Sequence, residues 1–224
     1  MTRVKICGIR SIDEARAVID ADADALGFHV DLEHSKCPIG AATVSAIISR
    51  LPPFVASVVV TTTTDAKDLI RLVKATWPTT LQLHGEVSSD TVRAVKAVLP
   101  FLKIYAVVHV SGSAVAEGSG ETKEDAVEKV RAFEDAADAV ILDTAGGSAR
   151  GGTGKVHDWR ISKKIVESVS IPIILAGGLN PENAADAVRQ VRSYAVDVES
   201  GVSNADHTKN IEKVKLFIER AKSV

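Results

Sequence analysis

The chain has 224 residues, of which 46% are hydrophobic, 25% charged and 4% aromatic, and its formal net charge is −2. This composition is too apolar and too nearly neutral for a disordered chain, and the apolar runs are far shorter than the roughly 20 residues of a membrane-spanning helix. With little net charge and only two cysteines, we expect no nucleic-acid partner, no membrane, no disulfide framework and a cytoplasmic location.

Short strand-like runs alternate with helix-like patterns along the whole chain. Strands are predicted over residues 4–7, 25–28, 55–60, 80–84, 103–109, 139–143, 173–176 and 195–198. Helices are predicted over residues 11–20, 41–51, 65–75, 89–99, 123–136, 158–168, 181–191 and 206–221. Several strands are nearly all apolar, which is typical of a parallel sheet covered by helices. The alternation therefore predicts an α/β fold.

Residues at the ends of two helices support these boundaries. Ser11 and Glu14 have the spacing of a capping box, in which both side chains accept hydrogen bonds from backbone amides. Asn180 before Pro181 predicts a helix that begins at the proline, with the asparagine as its cap. Residues 111–121, rich in glycine and serine, are predicted to form a surface loop.

Eight strand–helix units in 224 residues leave little chain over. We therefore predict one domain, residues 1–224, folded as a (β/α)₈ TIM barrel. An open, doubly wound sheet is the alternative, because alternation alone does not show that the sheet closes.

In a barrel, the reacting groups lie at the carboxyl ends of the strands. Four predicted strand ends carry titratable side chains, namely Cys7, His84, His109 and Asp143. An acid and a base on different strands can together carry out proton transfer. Cys7 is either a thiolate base or nucleophile, or a small buried core residue. Asp143 is either a general acid or base, or a cap or turn residue, and His84 is either a site residue or a core histidine.

Glycine-rich segments follow the sixth, seventh and eighth strands, at residues 146–147, 151–154, 177–178 and 200–201. Each segment suits a simple turn, because glycine adopts positive φ without strain. Together they favour phosphate binding, because glycine lets backbone amides approach an anion and barrels often bind phosphate after strands seven and eight.

The histidines and cysteines show no metal-ligand spacing, so no metal is predicted. No Gly-x-Gly-x-x-Gly segment follows the first strand, which argues against a dinucleotide. We therefore expect no cofactor.

Seven short motifs occur in one order along nearly the whole chain. They are KICGI at residues 5–9, ALGF at 25–28, QLHG at 82–85, LDT at 142–144, GGTG at 151–154 with Asp158 and Trp159, LAGGLNPEN at 175–183 and VDVESGV at 196–202. In this order they resemble the motifs of the phosphoribosylanthranilate isomerase family of tryptophan biosynthesis.

The resemblance implies a (β/α)₈ barrel that catalyses an Amadori rearrangement of a phosphorylated sugar without a cofactor. Asp143 would be the general acid that protonates the furanose ring oxygen, and Cys7 the general base that removes the C2′ proton. Lys36 and His84 would be further substrate contacts. The implied substrate- and phosphate-binding residues are Gly152, Gly154, Gly177, Gly178, Asp197, Ser200 and Gly201. Family members occur as monomers and dimers, so we expect a monomer or a homodimer.

The sequence departs from the family pattern at substrate-facing positions. Cys37 stands where the family carries an arginine that pairs with the anthranilate carboxylate, and Lys36 is its neighbour. Glu199 replaces a serine near the expected phosphate site, and Ser203 replaces a glutamate. In the third strand, residues 58–62 also differ from the usual segment.

These departures leave two alternatives open. One is a paralogous isomerase acting on another sugar phosphate, and the other is a phosphosugar-binding barrel without catalysis. The presence of both Cys7 and Asp143 argues against the second alternative.

Overall fold

The computed structural model describes residues 1–111, 123–145 and 156–224. In these parts of the chain, eight parallel strands form one sheet in chain order, and β1 pairs with β8 as well as with β2. The strands are β1 Arg3–Cys7, β2 Ala25–His29, β3 Ala56–Thr61, β4 Thr80–Leu83, β5 Lys103–Ser111, β6 Ala139–Ala145, β7 Ile173–Leu175 and β8 Ala195–Val198. The predicted closed barrel is thus confirmed, and the open sheet is excluded.

The helices surround this barrel. They are α1 Ile12–Asp20, α2 Ala41–Ile48, α3 Ala66–Thr76, α4 Ser89–Val98, α5 Lys123–Arg131, α6 Trp159–Ser168, α7 Ala184–Val191 and α8 Ile211–Lys222, and a 3₁₀ turn spans Ser200–Val202. Their apolar stripes pack against the strands, so that Leu69, Leu72 and Val73 of α3 are all buried, as their helical spacing predicts. None of the helices in the described ranges combines the length and apolarity that a bilayer span requires.

The cap of α1 agrees with the sequence prediction. The Ser11 hydroxyl accepts a hydrogen bond from the Glu14 amide at 3.1 Å. The Glu14 carboxylate accepts two further backbone hydrogen bonds, from Arg10 and from Lys209, each at 2.7 Å. This one carboxylate therefore ties the start of α1 to the segment before α8.

The predicted start of α7 at Pro181 is wrong, because the helix begins at Ala184. The Asn180 side chain accepts from the Asn183 amide at 3.0 Å, and the Asn183 side chain accepts from the Asn180 amide at 2.9 Å. This reciprocal pair closes a separate turn over the proline and displaces the helix by three residues.

The predicted start of α8 at Asp206 is also wrong. The Asp206 carboxylate accepts from the Thr208 amide at 3.0 Å, which closes a local turn. The cap of α8 is Asn210, whose side chain accepts from the Lys213 amide at 3.1 Å. A short polar side chain that bonds its own backbone competes with the helix in this way.

Two helices are shorter than predicted at their carboxyl ends. α2 ends at Ile48 instead of residue 51, and α5 ends at Arg131 instead of residue 136. In both, the following amides bond to carbonyls three residues earlier, such as Leu51 to Ile48 and Glu134 to Arg131. The apolar pattern continues through these tightened turns, although the α-helix does not.

Candidate active site

A cavity of about 610 Å³ opens at the carboxyl ends of the barrel strands. It is lined by eight of the residues predicted for the site, namely Cys7, Lys36, His84, Asp143, Gly177, Gly178, Asp197 and Ser200. Gly201 lies outside the lining, and Gly152 and Gly154 lie outside the described residues. The topology thus brings side chains from distant parts of the sequence to one mouth of the barrel, as expected for this fold.

Cys7 is the last residue of β1 and is buried. Its register partner on β2 is Gly27, where a Cβ atom would lie 2.5 Å from the Cys7 Sγ. Glycine at this position therefore makes the space that the thiol occupies. Burial raises the pKa of Cys7 to about 12, although the nearby Lys5 ammonium opposes this effect.

Lys5 lies two residues before Cys7 on the same strand, so both side chains point into the barrel. The Lys5 Nζ donates to the Asp197 carboxylate of β8 at 2.7 Å and to the Cys7 Sγ at 3.1 Å. Burial disfavours a charged lysine, but the Asp197 carboxylate and the Cys7 sulfur outweigh this and raise the pKa of Lys5. A permanent positive charge thus lies beside the sulfur.

His29, at the end of β2, is the other polar neighbour of Cys7. The Cys7 Sγ and the His29 Nε2 are 3.2 Å apart, and the His29 Nδ1 lies 2.8 Å from the Ser35 Oγ. Burial lowers the pKa of His29 to about 4, against the opposing attraction of Glu199, whose carboxylate lies 3.9 Å from Nε2. The imidazole is therefore neutral at pH 7.

The sequence predictions did not include Lys5 or His29 among the site residues. The signal for Lys5 was a lysine two positions before a candidate base in a strand, which places both side chains on one face. His29 carried a weaker signal, because the predicted strand ended one residue earlier, at residue 28.

Asp143 is presented by β6 and lines the cavity. Burial raises the pKa of its carboxyl group to about 6, with the Asp197 and Glu199 charges adding to this effect and the Thr144 amide opposing it. The Thr144 amide donates to the Asp143 Oδ1 at 2.8 Å and so holds the carboxyl group in place. A carboxyl group with this pKa keeps part of its proton near neutral pH, as a general acid must.

Gly177 and Gly178, directly after β7, both adopt left-handed backbone angles, with φ of +83° and +69°. A Cβ atom at Gly177 would collide with the Thr144 backbone and lie 2.8 Å from the Asp143 Oδ1. A Cβ atom at Gly201 would collide with the Leu179 carbonyl oxygen. The two glycine-containing loops therefore pack closely on each other and on the candidate acid, because neither carries a side chain there.

Cys37 does not line the cavity and is 1% exposed. Its Sγ lies 3.8 Å from the Glu199 carboxylate and 3.8 Å from the His207 carbonyl oxygen. The Glu199 side chain is thus directed towards Cys37 and His29, on the side of the cavity formed by β1 and β2. A carboxylate would repel a phosphate group, and this direction places the Glu199 charge beside Cys37 and His29 instead.

Lys36 and His84 complete the predicted set. Lys36 is exposed and is the one lysine or arginine among the described residues that line the cavity. His84 makes an edge-to-face contact with His109, with ring centroids 5.4 Å apart. Burial lowers the pKa of His84 to about 4, and the neighbouring His109 adds to the effect, so His84 is a neutral contact at pH 7.

Among the described residues, no group of three or more histidine, cysteine or acidic side chains is arranged to hold a metal ion. The arrangement combines a thiol beside a fixed positive charge, a carboxyl group with a raised pKa, and glycine-containing turns after β7 and β8.

Comparison with known proteins places the chain in a family. The family model for N-(5′-phosphoribosyl)anthranilate isomerase matches residues 4–220. The chain belongs to the phosphoribosylanthranilate isomerase family. A relative named N-(5′-phosphoribosyl)anthranilate isomerase, from Methanocella arvoryzae, is 42% identical over 99% of both chains.

Solved structures of family members have the same fold. Phosphoribosylanthranilate isomerase from Thermotoga maritima aligns over 100% of both chains with a TM-score of 0.84 and 29% identity. A phosphoribosylanthranilate isomerase in complex with reduced 1-(o-carboxyphenylamino)-1-deoxyribulose 5-phosphate aligns over 100% of both chains with a TM-score of 0.81 and 28% identity. The family resemblance inferred from the motifs is thus confirmed.

Proposed function

We propose that this chain is a phosphoribosylanthranilate isomerase, which converts N-(5-phosphoribosyl)anthranilate to the 1-deoxyribulose 5-phosphate aminoketose by general acid–base catalysis. The observation that carries the proposal is that Cys7 and Asp143, the two residues assigned to proton transfer, line the same cavity in a chain of this family. The named relatives and the complex with a reduced aminoketose in a similar structure support the substrate.

Asp143 acts first, as the general acid. Its proton passes to the furanose ring oxygen, the C1′–oxygen bond breaks, and the nitrogen lone pair forms a C=N double bond to C1′. Asp143 is left as a carboxylate and the substrate as an iminium ion. With a pKa of about 6, roughly a tenth of the Asp143 carboxyl groups are protonated at pH 7.

Cys7 then acts as the general base. Its thiolate takes the C2′ proton, and the electron pair of that bond forms the C1′=C2′ double bond and neutralises the iminium ion. The resulting enolamine tautomerises to the ketone, as C1′ gains a proton and the C2′ hydroxyl loses one. The Lys5 ammonium, 3.1 Å from the sulfur, stabilises the thiolate by direct charge attraction.

The two anionic groups of the substrate require separate partners. We assign the phosphate to the backbone amides of Gly178, Ser200 and Gly201, where two close-packed turns meet beside the cavity. Gly152 and Gly154 remain predicted members of the same site. We assign the anthranilate carboxylate to Lys36, because Cys37 is buried behind the cavity and carries no permanent charge. A monomer or a homodimer remains the predicted state of the enzyme.

The proposal is tested by measuring the turnover of fluorescent phosphoribosylanthranilate by the purified protein. We expect Cys7→Ser to abolish turnover, because a serine hydroxyl is far too weak an acid to supply the base. Asp143→Asn should reduce kcat by about 10²–10⁴-fold, the usual contribution of a general acid. Cys37→Ser is the matched cysteine control and should keep most of the activity.

Absence of turnover by the wild-type protein, together with binding of ribose 5-phosphate, would contradict the assignment. That result would favour the paralogous isomerase with a different sugar phosphate as substrate. Full activity of Cys7→Ser would instead support the assigned substrate and contradict the assignment of Cys7 as the base.

A further inference from the structure

The Cys7 thiol needs a proton acceptor before it can act as a base. Among the described residues, two polar side-chain atoms lie within hydrogen-bond distance of the Cys7 Sγ, namely the Lys5 Nζ at 3.1 Å and the His29 Nε2 at 3.2 Å. A lysine ammonium has three donors and no acceptor, so it cannot receive the thiol proton. The His29 Nε2 can receive it, provided that this nitrogen carries no hydrogen.

We propose that His29 is a positioning residue that accepts the Cys7 thiol proton at Nε2 and thereby holds the sulfur as the reactive thiolate. The inference deepens the proposed isomerase function and rests on it for the role of the thiolate. The pairing follows the general pattern in which an adjacent base activates a cysteine.

Ser35 determines which nitrogen of the neutral His29 ring carries the hydrogen. The Ser35 Oγ accepts the Cys37 amide at 3.0 Å and lies 2.8 Å from the His29 Nδ1. We assign the hydrogen of the neutral ring to Nδ1, which donates to the Ser35 Oγ. This tautomer leaves the lone pair of Nε2 directed at Cys7, and the thiol hydrogen then has an acceptor while Lys5 donates to the sulfur from another direction.

The charges around the pair act in both directions. Glu199, whose carboxylate is 3.9 Å from Nε2, favours a protonated His29, whereas Lys5 and Lys209 disfavour it. His84 also lines the cavity and is neutral at pH 7. Proton transfer creates an imidazolium and a thiolate 3.2 Å apart, so their attraction, with Lys5 beside the sulfur, offsets the desolvation that each charge suffers alone.

The proton balance closes over one turnover. The Cys7 S–H bond breaks and a His29 N–H bond forms, which gives the thiolate. The thiolate then takes the C2′ proton and becomes a thiol again. The imidazolium finally releases one proton to water, and the Asp143 carboxylate, which gave its own proton to the ring oxygen, takes one proton up from water. Each of the three groups ends in its starting state.

The test measures the thiol directly, without turnover. The rate of Cys7 alkylation by iodoacetamide is followed from pH 5 to pH 10, with peptide mass spectrometry to separate Cys7 from Cys37. In the wild-type protein, we expect alkylation with an apparent pKa well below 12, the value that burial and the surrounding charges favour for a thiol that keeps its proton. In His29→Gln, whose amide oxygen accepts a hydrogen bond but not a proton, the rate at pH 7 should fall at least tenfold and recover as the pH rises.

Two further variants make the result specific. Ser35→Ala should shift the profile in the same direction by a smaller amount. It removes the acceptor that keeps the His29 hydrogen on Nδ1, but it leaves the imidazole in place. His34→Asn is the control, since His34 is exposed and has a φ of +61°, which asparagine tolerates. It should leave the alkylation profile unchanged. With phosphoribosylanthranilate, His29→Gln should lower kcat more than it raises KM.

The outcomes separate the two proposals. A wild-type apparent pKa near 12, or an His29→Gln profile equal to that of the wild type, would overturn the role of His29 whatever the substrate is. A shifted profile without turnover of phosphoribosylanthranilate would support the Cys7–His29 pair and contradict the proposed substrate. If His29→Gln does not fold, the wild-type and Ser35→Ala profiles still decide the inference, because an unshifted Ser35→Ala profile would then contradict it.

Discussion

At the scale of single residues, the burial that raises the pKa of Asp143 suits it to its proposed role as an acid and also makes the stability of the protein depend on pH. Its pKa is about 6 in the folded protein, compared with about 3.9 in an unfolded chain. Below pH 4 both states are protonated and the group has no effect on stability. As the pH rises through 6, the unfolded state releases its proton more readily, so the free energy of unfolding falls.

Asp143→Asn should therefore stabilise the protein at pH 7 while it removes the general acid. The two-unit difference in pKa corresponds to at most about 3 kcal/mol. The asparagine Oδ1 can still accept the Thr144 amide, so the local hydrogen bond is retained. Urea unfolding at pH 7 and at pH 4.5 measures the effect, which should shrink at the lower pH.

The control for this substitution is Asp186→Asn, at an exposed ion pair with Arg189 on α7, where a change below about 1 kcal/mol is expected. An Asp143→Asn variant no more stable than the wild type at pH 7 would show that the carboxyl group is not held above its usual pKa.

Single residues also show how far sequence reasoning reached. Cys7 and Asp143 could be proposed because each carries a reactive group at the end of an apolar strand. The direction of the Glu199 side chain and the burial of Cys37 could not, because both depend on contacts between loops far apart in the sequence. The contact of His29 with Cys7 joins two strands and is set by the register that places Cys7 beside Gly27.

At the scale of elements, the closing pair of the barrel contains a buried ion pair. Lys5 of β1 and Asp197 of β8 are register partners, and their side chains meet at 2.7 Å. Removal of one partner from such a pair leaves a buried charge without compensation, which typically costs about 3–5 kcal/mol. Replacement of both partners by apolar residues is often close to neutral.

Lys5→Met should therefore lower the free energy of unfolding by about 3–5 kcal/mol, and Lys5→Met combined with Asp197→Leu should recover most of that loss. The double variant should still lack activity, because the charge beside the Cys7 sulfur is gone. Lys215→Met, at an exposed pair with Glu212 on α8, is the matched control and should change stability by less than about 1 kcal/mol. Denaturant unfolding of the wild type, Lys5→Met, Asp197→Leu and the double variant gives the coupling between positions 5 and 197, and a value near zero would contradict the pair.

The elements themselves were predictable in kind and order, but not at every boundary. Apolar spacing identified each helix, because the packing of a helix on the barrel requires it. The starts of α7 and α8 were missed, because Asn180 and Asp206 close separate turns upstream of the helices. α8 is capped by the Asn210 side chain, whereas the Asn183 side chain before α7 bonds back to the Asn180 amide. Such side-chain–backbone bonds compete with the helix at positions that look equally suitable in sequence.

At the scale of the whole molecule, the closed barrel brings the proposed acid and base to one cavity from strands β1 and β6, more than 130 residues apart. Their pKa values are ordered in an unusual way. Asp143, the acid, has a pKa of about 6, and the thiol of Cys7, the base, ionises above it. If the Cys7 proton were lost to water, the form with a protonated Asp143 and a Cys7 thiolate would always be a minority, and transfer of that proton to His29 removes this restriction.

The titration of Asp143 predicts the pH profile of kcat/KM, which reports groups of the free enzyme. Below pH 6, Asp143 stays protonated and the Cys7 proton moves to His29 within the protein, so activity should stay level down to about pH 4, where His29 itself gains a proton from water. Above pH 6, Asp143 loses the proton that it must donate, so activity should fall about tenfold per pH unit. The bend near pH 6 therefore belongs to the acid. In Asp143→Asn this bend should disappear, and the residual activity should not fall between pH 6 and pH 8. A wild-type profile that stays level between pH 7 and pH 8 would show that Asp143 does not titrate near 6 in the folded enzyme.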